Sequence, residues 1–297
     1  MKKVISFQIP KSSKEFVRFQ VDAERHFYDK LHQHPQWQLT WIREGRGQLL
    51  VGDYLGRFEP GDMFLFSAHM PHVFRSDREY FDPNTSKASL GLTLFFDFEA
   101  LGKGFLEVEE FSSLKQWLQK TKGCFAVRGE VKQLIEKKLS QFPDSSGLAK
   151  VLAALDILNG LQELKELLPL NRLIPQKDFT ETEGKRMGQV MSFILTKSQS
   201  PISLQEAADM ANLSKEAFCR FFKERTGKTF TEFLNQVRVH AAAKLLQDTD
   251  WPISHIAFES GFQNLSYFNR IFKKIQGQSP KDFRSRVVQA LSNKYLS

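Results

Sequence analysis

Between residues 17 and 98 the apolar positions fall into short alternating or continuous runs, at 37–43, 47–52, 63–67, 72–75 and 90–98. Gly45, Gly47, Gly52-Asp53, Gly56 and Pro60-Gly61-Asp62 punctuate them. Short strands closed by glycine turns predict a small barrel or jelly roll. From residue 112 onward the period lengthens, and 112–121, 130–141 and 146–167 read as helices. Along the last, Leu148, Val151, Leu152, Leu155, Leu158, Leu161, Leu164 and Leu168 make one wide apolar stripe. Such a stripe suits either burial within its own domain or pairing with a second copy of the chain. Prolines, polar residues and charges interrupt the pattern from 169 to 183. The expected fold class is α+β: a β-barrel at 1–108, a helical segment at 109–168, a linker at 169–183 and an all-α domain at 184–297.

The last domain repeats itself. Phe218-Cys219-Arg220-Phe221-Phe222-Lys223 returns at an offset of 50 as Phe268-Asn269-Arg270-Ile271-Phe272-Lys273, and Gly227 is matched by Gly277. At about 100° per residue, Phe218, Phe221 and Phe222 share one stripe while Glu216, Arg220 and Lys223 point away, with Cys219 at their margin. The second segment sets Phe268, Ile271, Phe272 and Ile275 against Ser266, Asn269, Arg270 and Lys273. Each is preceded by a shorter helical pattern, 204–210 and 253–259, expected to correspond at the same offset, with alanines that allow close packing. Ser214 and Asn264 are the expected N-caps, Gly261 the sharp turn, and 231–247 a connecting helix. Paired helix-turn-helix units are a device for reading DNA.

Charge sharpens that reading. Residues 184–297 hold 17 Lys and Arg against 9 Asp and Glu, which accounts for the whole chain's net +8. A local positive field attracts polyanions, in binding that weakens with salt. The two cysteines, Cys124 and Cys219, are too few for a disulfide framework and predict a reducing, cytoplasmic setting. The apolar stretch after Lys2-Lys3 is broken by Ser6, Gln8 and Pro10, and no run approaches the roughly 18 apolar residues of a membrane span. No GxSxG, phosphate loop or paired zinc cysteines mark an enzyme.

On these residues, together with Ile253-Ser254-His255-Ile256-Ala257, Gly261-Phe262, Ser279-Pro280 and Phe283-Arg284, the segment 202–286 resembles the DNA-binding domain of AraC/XylS transcription regulators. The resemblance implies that each second helix enters a major groove, with the two about 34 Å apart on one side of the duplex. It places base contacts on Glu216, Cys219 and Arg220, and on Leu265, Ser266, Asn269 and Arg270. Arginine meets a guanine edge with two donors, and asparagine pairs similarly with adenine. Ser214, Lys215, Lys223, Asn264, Lys273 and Lys274 are the expected phosphate contacts. Arg220 and Arg270 could alternatively serve as intradomain salt-bridge partners. The family also implies a homodimer, a small-molecule effector, RNA polymerase as partner, activation as the commoner effect, and a place at the bacterial nucleoid.

The order His32-Gln33-His34, Gln38, Gly45, Pro60-Gly61-Asp62, Pro71-His72 resembles a cupin, the barrel such regulators use as a sensor. His32 and His34 point to one side of an extended segment, and His72 could join them. Gln38 stands where metal-binding cupins carry a glutamate. Two readings stay open: three imidazoles holding a divalent metal, Zn or Ni, or His32, His34, Gln38, Trp37 and His72 lining an organic-ligand pocket. Trp41, Tyr54, Phe64, Phe66 and Phe74 would add aromatic surface for a sugar or small organic acid. The expected function is a ligand-responsive, sequence-specific regulator and no enzyme. The alternatives are a metal-dependent cupin enzyme on a DNA tether and an architectural protein that bends DNA without effector control.

Overall fold

The computed structural model describes residues 15–102, 104–142, 145–163, 167–172 and 181–295. The chain divides into two compact units, Met1–Gly184 and Lys185–Ser297.

The first unit is built on two sheets. Strands β1 (Val17–Glu24), β2 (Trp37–Glu44), β5 (Met63–Phe66), β7 (Ser89–Phe96), β8 (Cys124–Ala126) and β9 (Leu168–Pro169) form one, in the order β1-β7-β2-β5-β8-β9. Strands β3 (Gly47–Val51), β4 (Tyr54–Phe58) and β6 (His72–Ser76) form the other, in the order β4-β3-β6. Alternation divides the large sheet cleanly, because successive side chains leave a strand on opposite faces. Trp37, Leu39, Trp41, Met63, Leu65, Leu94 and Phe96 pack with Ile135, Leu139, Ile157, Leu158 and Leu161 of the helices. Their neighbours Ile42, Phe64 and Phe66 join Leu49, Val51, Phe58 and Phe74 of the small sheet in a second core. Between these sheets lies the barrel interior.

Helices α1 (Ser112–Lys120), α2 (Gly129–Gln141) and α3 (Gly147–Glu163) follow. They do not form a segment apart from the barrel. Phe64, Leu65 and Phe66 of β5 pair with β8, which pairs in turn with β9, so residues expected in the helical stretch complete the large sheet. Leu168 sits in β9 rather than on the helical stripe, α3 stops at Glu163 as described, and Leu164 lies outside the described residues. Leu158 and Leu161 of the stripe are buried, whereas Leu148 and Leu152 are 72% and 57% exposed. Most of the expected linker, 173–180, also lies outside the described residues.

Helix α4 (Glu181–Lys197) leads into the second unit, which continues with α5 (Leu204–Met210), α6 (Lys215–Thr226), α7 (Phe230–Asp248), α8 (Ile253–Glu259), α9 (Leu265–Gln276) and α10 (Pro280–Tyr295). Capping boxes start α5 at Ser203 with Glu206 and α7 at Thr229 with Glu232. In each, hydroxyl and carboxylate satisfy two helix-start amides that have no partner within the helix. No helix among the described residues is long and apolar enough to cross a membrane.

Candidate nucleic-acid interface and barrel cavity

Helices α6 and α9 are copies of one another down to their contacts. The Ser214 hydroxyl accepts the Ala217 amide at 3.2 Å, and the Asn264 side chain accepts the Tyr267 amide at 2.8 Å, so both expected caps form. Both helices end in glycine, Gly227 at φ 68° and Gly277 at φ 72°, a left-handed turn costly for any residue with a Cβ. Inward, Phe218 and Phe222 lie 5.4 Å apart and Phe222 meets Phe233 edge-on at 5.5 Å. The second copy repeats this with Phe268 and Phe272 at 5.5 Å and Phe283 edge-on at 5.6 Å. Burying these rings fixes which face of each helix looks outward.

That outward face carries the expected readers. Glu216, Cys219 and Arg220 on α6, and Leu265, Ser266, Asn269 and Arg270 on α9, are all exposed. So are Ser214, Lys215, Lys223, Asn264, Lys273 and Lys274. Ser214 and Asn264 spend their side chains on the caps, which leaves first-turn amides to face an anion. Among the described residues no ion pair engages Arg220 or Arg270; the Arg270 guanidinium lies over the Tyr267 ring at 5.3 Å. The Glu216 carboxyl is held below its ordinary range by the amide at its own position and by Ser214, with smaller pulls from Lys215 and Arg220.

The supporting helices correct the uniform offset. Ala207 and Ala208 of α5 and Ile256 and Ala257 of α8 are the fully buried pairs, which aligns these helices at 49 rather than 50. Leu213 bonds back to the Ala208 carbonyl and Phe262 to that of Ala257, again 49 apart. The second turn is one residue longer, with exposed Gln263 as the addition. Gly261 makes this turn at φ 90°, and a Cβ there would lie 2.3 Å from the Ser198 carbonyl oxygen.

In the barrel, a cavity of about 530 Å³ opens between the sheets. A polar track crosses its wall. The Gln38 side chain lies 2.8 Å from His34 Nε2 and 2.8 Å from the Thr40 hydroxyl, which is 3.0 Å from that of Thr93. Thr93 and Gln20 bond to Asp22, whose carboxyl is nevertheless raised by burial. Phe27, Tyr28, Phe74 and Phe95 supply apolar surface.

His32 and His72 line this cavity, and His34 lies beside them, outside the lining. His32 and His72 form an antiparallel bridge, and their rings lie 4.4 Å apart, with His34 5.5 Å from His72. Each Nδ1 faces a backbone carbonyl: Lys30 at 2.9 Å, Gln36 at 3.0 Å and Met70 at 2.8 Å. Burial pushes His32 down to about 4, lowers His34 and places His72 well below its ordinary value. The rings are therefore uncharged at neutral pH, Nδ1–H donates to the carbonyl, and Nε2 keeps its lone pair. The potential ligand atoms of the three lie within 4.8 Å of one another. His72 Nε2 is buried with no hydrogen-bond partner, an arrangement that costs about 1–3 kcal/mol if nothing fills it.

Trp37 is not in the cavity. It belongs to the opposite face of β2, where it stacks on Trp117 at 5.6 Å, and Trp41 shares that face. Phe64 and Phe66 lie in the inner core with Phe74. Tyr28, Thr93, Phe95 and Asp22 escaped notice in the sequence, although period-2 alternation along β7 puts Thr93 and Phe95 on the side opposite Leu92, Leu94 and Phe96.

Two family models match this chain: an AraC-like ligand binding domain over residues 14–102 and a helix-turn-helix domain over residues 207–286. The chain belongs to the AraC family. It is a DNA-binding transcription regulator with an N-terminal ligand-binding domain. A curated relative, the HTH-type transcriptional activator RhaR of Escherichia coli K12, is 24% identical over 253 residues, covering 85% of this chain and 86% of RhaR. Among solved structures, the C-terminal domain of the response regulator yesN from Fusobacterium nucleatum is 28% identical over 32% of this chain and 93% of its own, at a TM-score of 0.31. ToxT from Vibrio cholerae O395 matches 92% of this regulator and 98% of its own chain, at 13% identity and a TM-score of 0.37.

Proposed function

We propose that this regulator activates transcription in response to a small polar molecule, a sugar or small organic acid, held in the barrel cavity. The observation that carries the effector reading is the track Gln38–Thr40–Thr93–Asp22 facing aromatic rings across about 530 Å³. Hydroxyl-rich ligands pair with such donors and acceptors while their C–H faces rest on aromatics. Arg220 and Asn269–Arg270 read base edges in two major grooves, and Lys223, Lys273 and Lys274 hold phosphates. A second copy covers Leu148 and Leu152 of α3, large apolar side chains left in water. RhaR carries the name of an activator, which supports activation and hence contact with RNA polymerase. The free, unpaired Cys124 and Cys219 suit the reducing cytoplasm.

An effector acts only through its different affinity for two arrangements of the protein. Screening sugars and organic acids by thermal shift identifies binders, and operator affinity is then measured with and without each. A ligand that raises the melting temperature and changes operator affinity supports the proposal. Tight binders that leave DNA affinity and half-site spacing unaltered contradict it.

A further inference from the structure

On the reading of the cavity as the effector site, on which this inference rests, we propose that the effector is an amino sugar or similar amino alcohol, whose protonated amine is held at Asp22 and Glu24. The hydrogens of the wall already point to this chemistry. An ionised carboxylate only accepts hydrogen bonds, so the Thr93 hydroxyl donates its single hydrogen to Asp22. Thr40 lies 3.0 Å from Thr93 and is then the donor in that pair. It accepts in turn from the Gln38 side-chain amide at 2.8 Å, and the Gln20 amide also donates to Asp22. Strand register brings these groups together. Thr40 and Gln20 pair with Thr93 from either side of β7, and Asp22 and Glu24 follow Gln20 on the same face of β1.

What this wall offers a ligand is acceptors. Thr40 and Thr93 each use one of two lone pairs, and Asp22 has further lone pairs beyond those facing Gln20 and Thr93. His72, fully buried and lining the cavity, turns its Nδ1 hydrogen to the Met70 carbonyl at 2.8 Å and holds an Nε2 lone pair with no hydrogen-bond partner. An ammonium brings three hydrogens and no lone pair, and each hydroxyl beside it brings one more. A carboxylate brings none. The lining sets Asp22 and Glu24 against Arg25, whose guanidinium donates to the Pro83 carbonyl at 2.9 Å. Burial raises the Asp22 carboxyl and so does Glu24, while Gln20, Thr93 and Arg18 pull it back. A neutral sugar leaves the repulsion between the two carboxylates in place, and a cation relieves it. Phe27, Phe74 and Phe95 line the cavity as well, and the faces of aromatic rings attract cations.

The test uses the full chain at pH 7 and matched hexoses: glucosamine, galactosamine and mannosamine, their parents glucose, galactose and mannose, and glucuronic and galacturonic acids. Titration calorimetry gives the affinities. At least one amino sugar is expected to bind at least about 10-fold more tightly than its hydroxyl parent, with the uronic acids weakest. In Asp22→Asn that ratio should fall to about threefold or less. Glu24→Gln, at an exposed position, should lower the ratio by at least about threefold and keeps the test informative if Asp22→Asn fails to fold, as judged by circular dichroism. Three results overturn the proposal: no binding by any amino sugar, tighter binding of a neutral sugar or uronic acid, or an amine preference retained in full by the folded variants. A neutral sugar or uronic acid that binds and also shifts operator affinity would overturn it while leaving the effector reading intact, so the two failures are told apart.

Discussion

The buried side-chain amide of Asn235, on α7, donates to the hydroxyl of Tyr267 on α9 at 2.7 Å. This bond ties the connecting helix α7 to α9, the second of the two repeated helices. Just under a turn further along α7, Arg238 donates to the Ser198 and Ser200 carbonyls at 2.8 and 3.0 Å and lies over Phe262. Tyr267→Phe keeps the ring and leaves the Asn235 amide without its acceptor. The expected loss is about 1–3 kcal/mol in the urea unfolding transition of the C-terminal unit, and an unchanged midpoint would contradict the role given to this bond.

Phosphate-binding side chains position a protein on DNA without reading sequence. Lys273→Ala and Lys274→Ala should therefore weaken operator and random DNA alike, and each should flatten the dependence of log K on log salt by about 0.9, the share of one neutralised phosphate. Binding titrations at several salt concentrations provide the check. An altered base preference with the original slope would count against the assignment.

The two faces of β2 make separable predictions. Thr40→Val cuts the track between Gln38 and Thr93 and should lower effector affinity by about 1–2 kcal/mol, with operator affinity in the absence of effector unchanged. Trp37→Phe should destabilise the first unit, because Trp37 packs on Trp117, yet leave effector affinity within about twofold. The reverse pattern would mean that the cavity lies on the other face.

Buried neutral histidines make the barrel acid-sensitive. His32 stands at about 4 and His34 and His72 below their ordinary value of 6.5, in each case chiefly through burial. Between pH 6.5 and about 4 the unfolded chain binds more protons than the folded one, so stability is present above this window and is lost as pH falls through it. Each unit of depression corresponds to about 1.4 kcal/mol. Thermal melting of chelator-treated protein should show the first unit's transition dropping steadily with acidification, and a midpoint independent of pH across that window would refute the neutral assignment.

Much of the fold was legible in the chain because local signals and burial agreed. The repeat around Phe218 and Phe268 marked helices α6 and α9, their caps and their outward residues, since a helix face is set by spacing alone. The one-residue difference between the two turns was harder to see. Ala207 and Ala257 match in sequence at 50, but packing aligns Ala208 with Ala257. Trp37 was misplaced through residue type, although its parity with Leu39 opposes that of Gln38. β8 and β9 are three and two residues long; their pairing is decided by the edge of β5 in space, which no local pattern records. His72 was expected beside His32, but the bond-free state of its Nε2 depends on what surrounds it in three dimensions.

The central claim is that α6 and α9 read two separate segments of duplex DNA. The most direct measurement is footprinting with base-substituted operators for the parent, Arg220→Ala and Arg270→Ala. Two protected segments about one helical turn apart are predicted, with each variant losing about 1–3 kcal/mol of discrimination only at its own segment and keeping its fold. Two folded variants that retain the parent's base preferences at both segments would contradict the account.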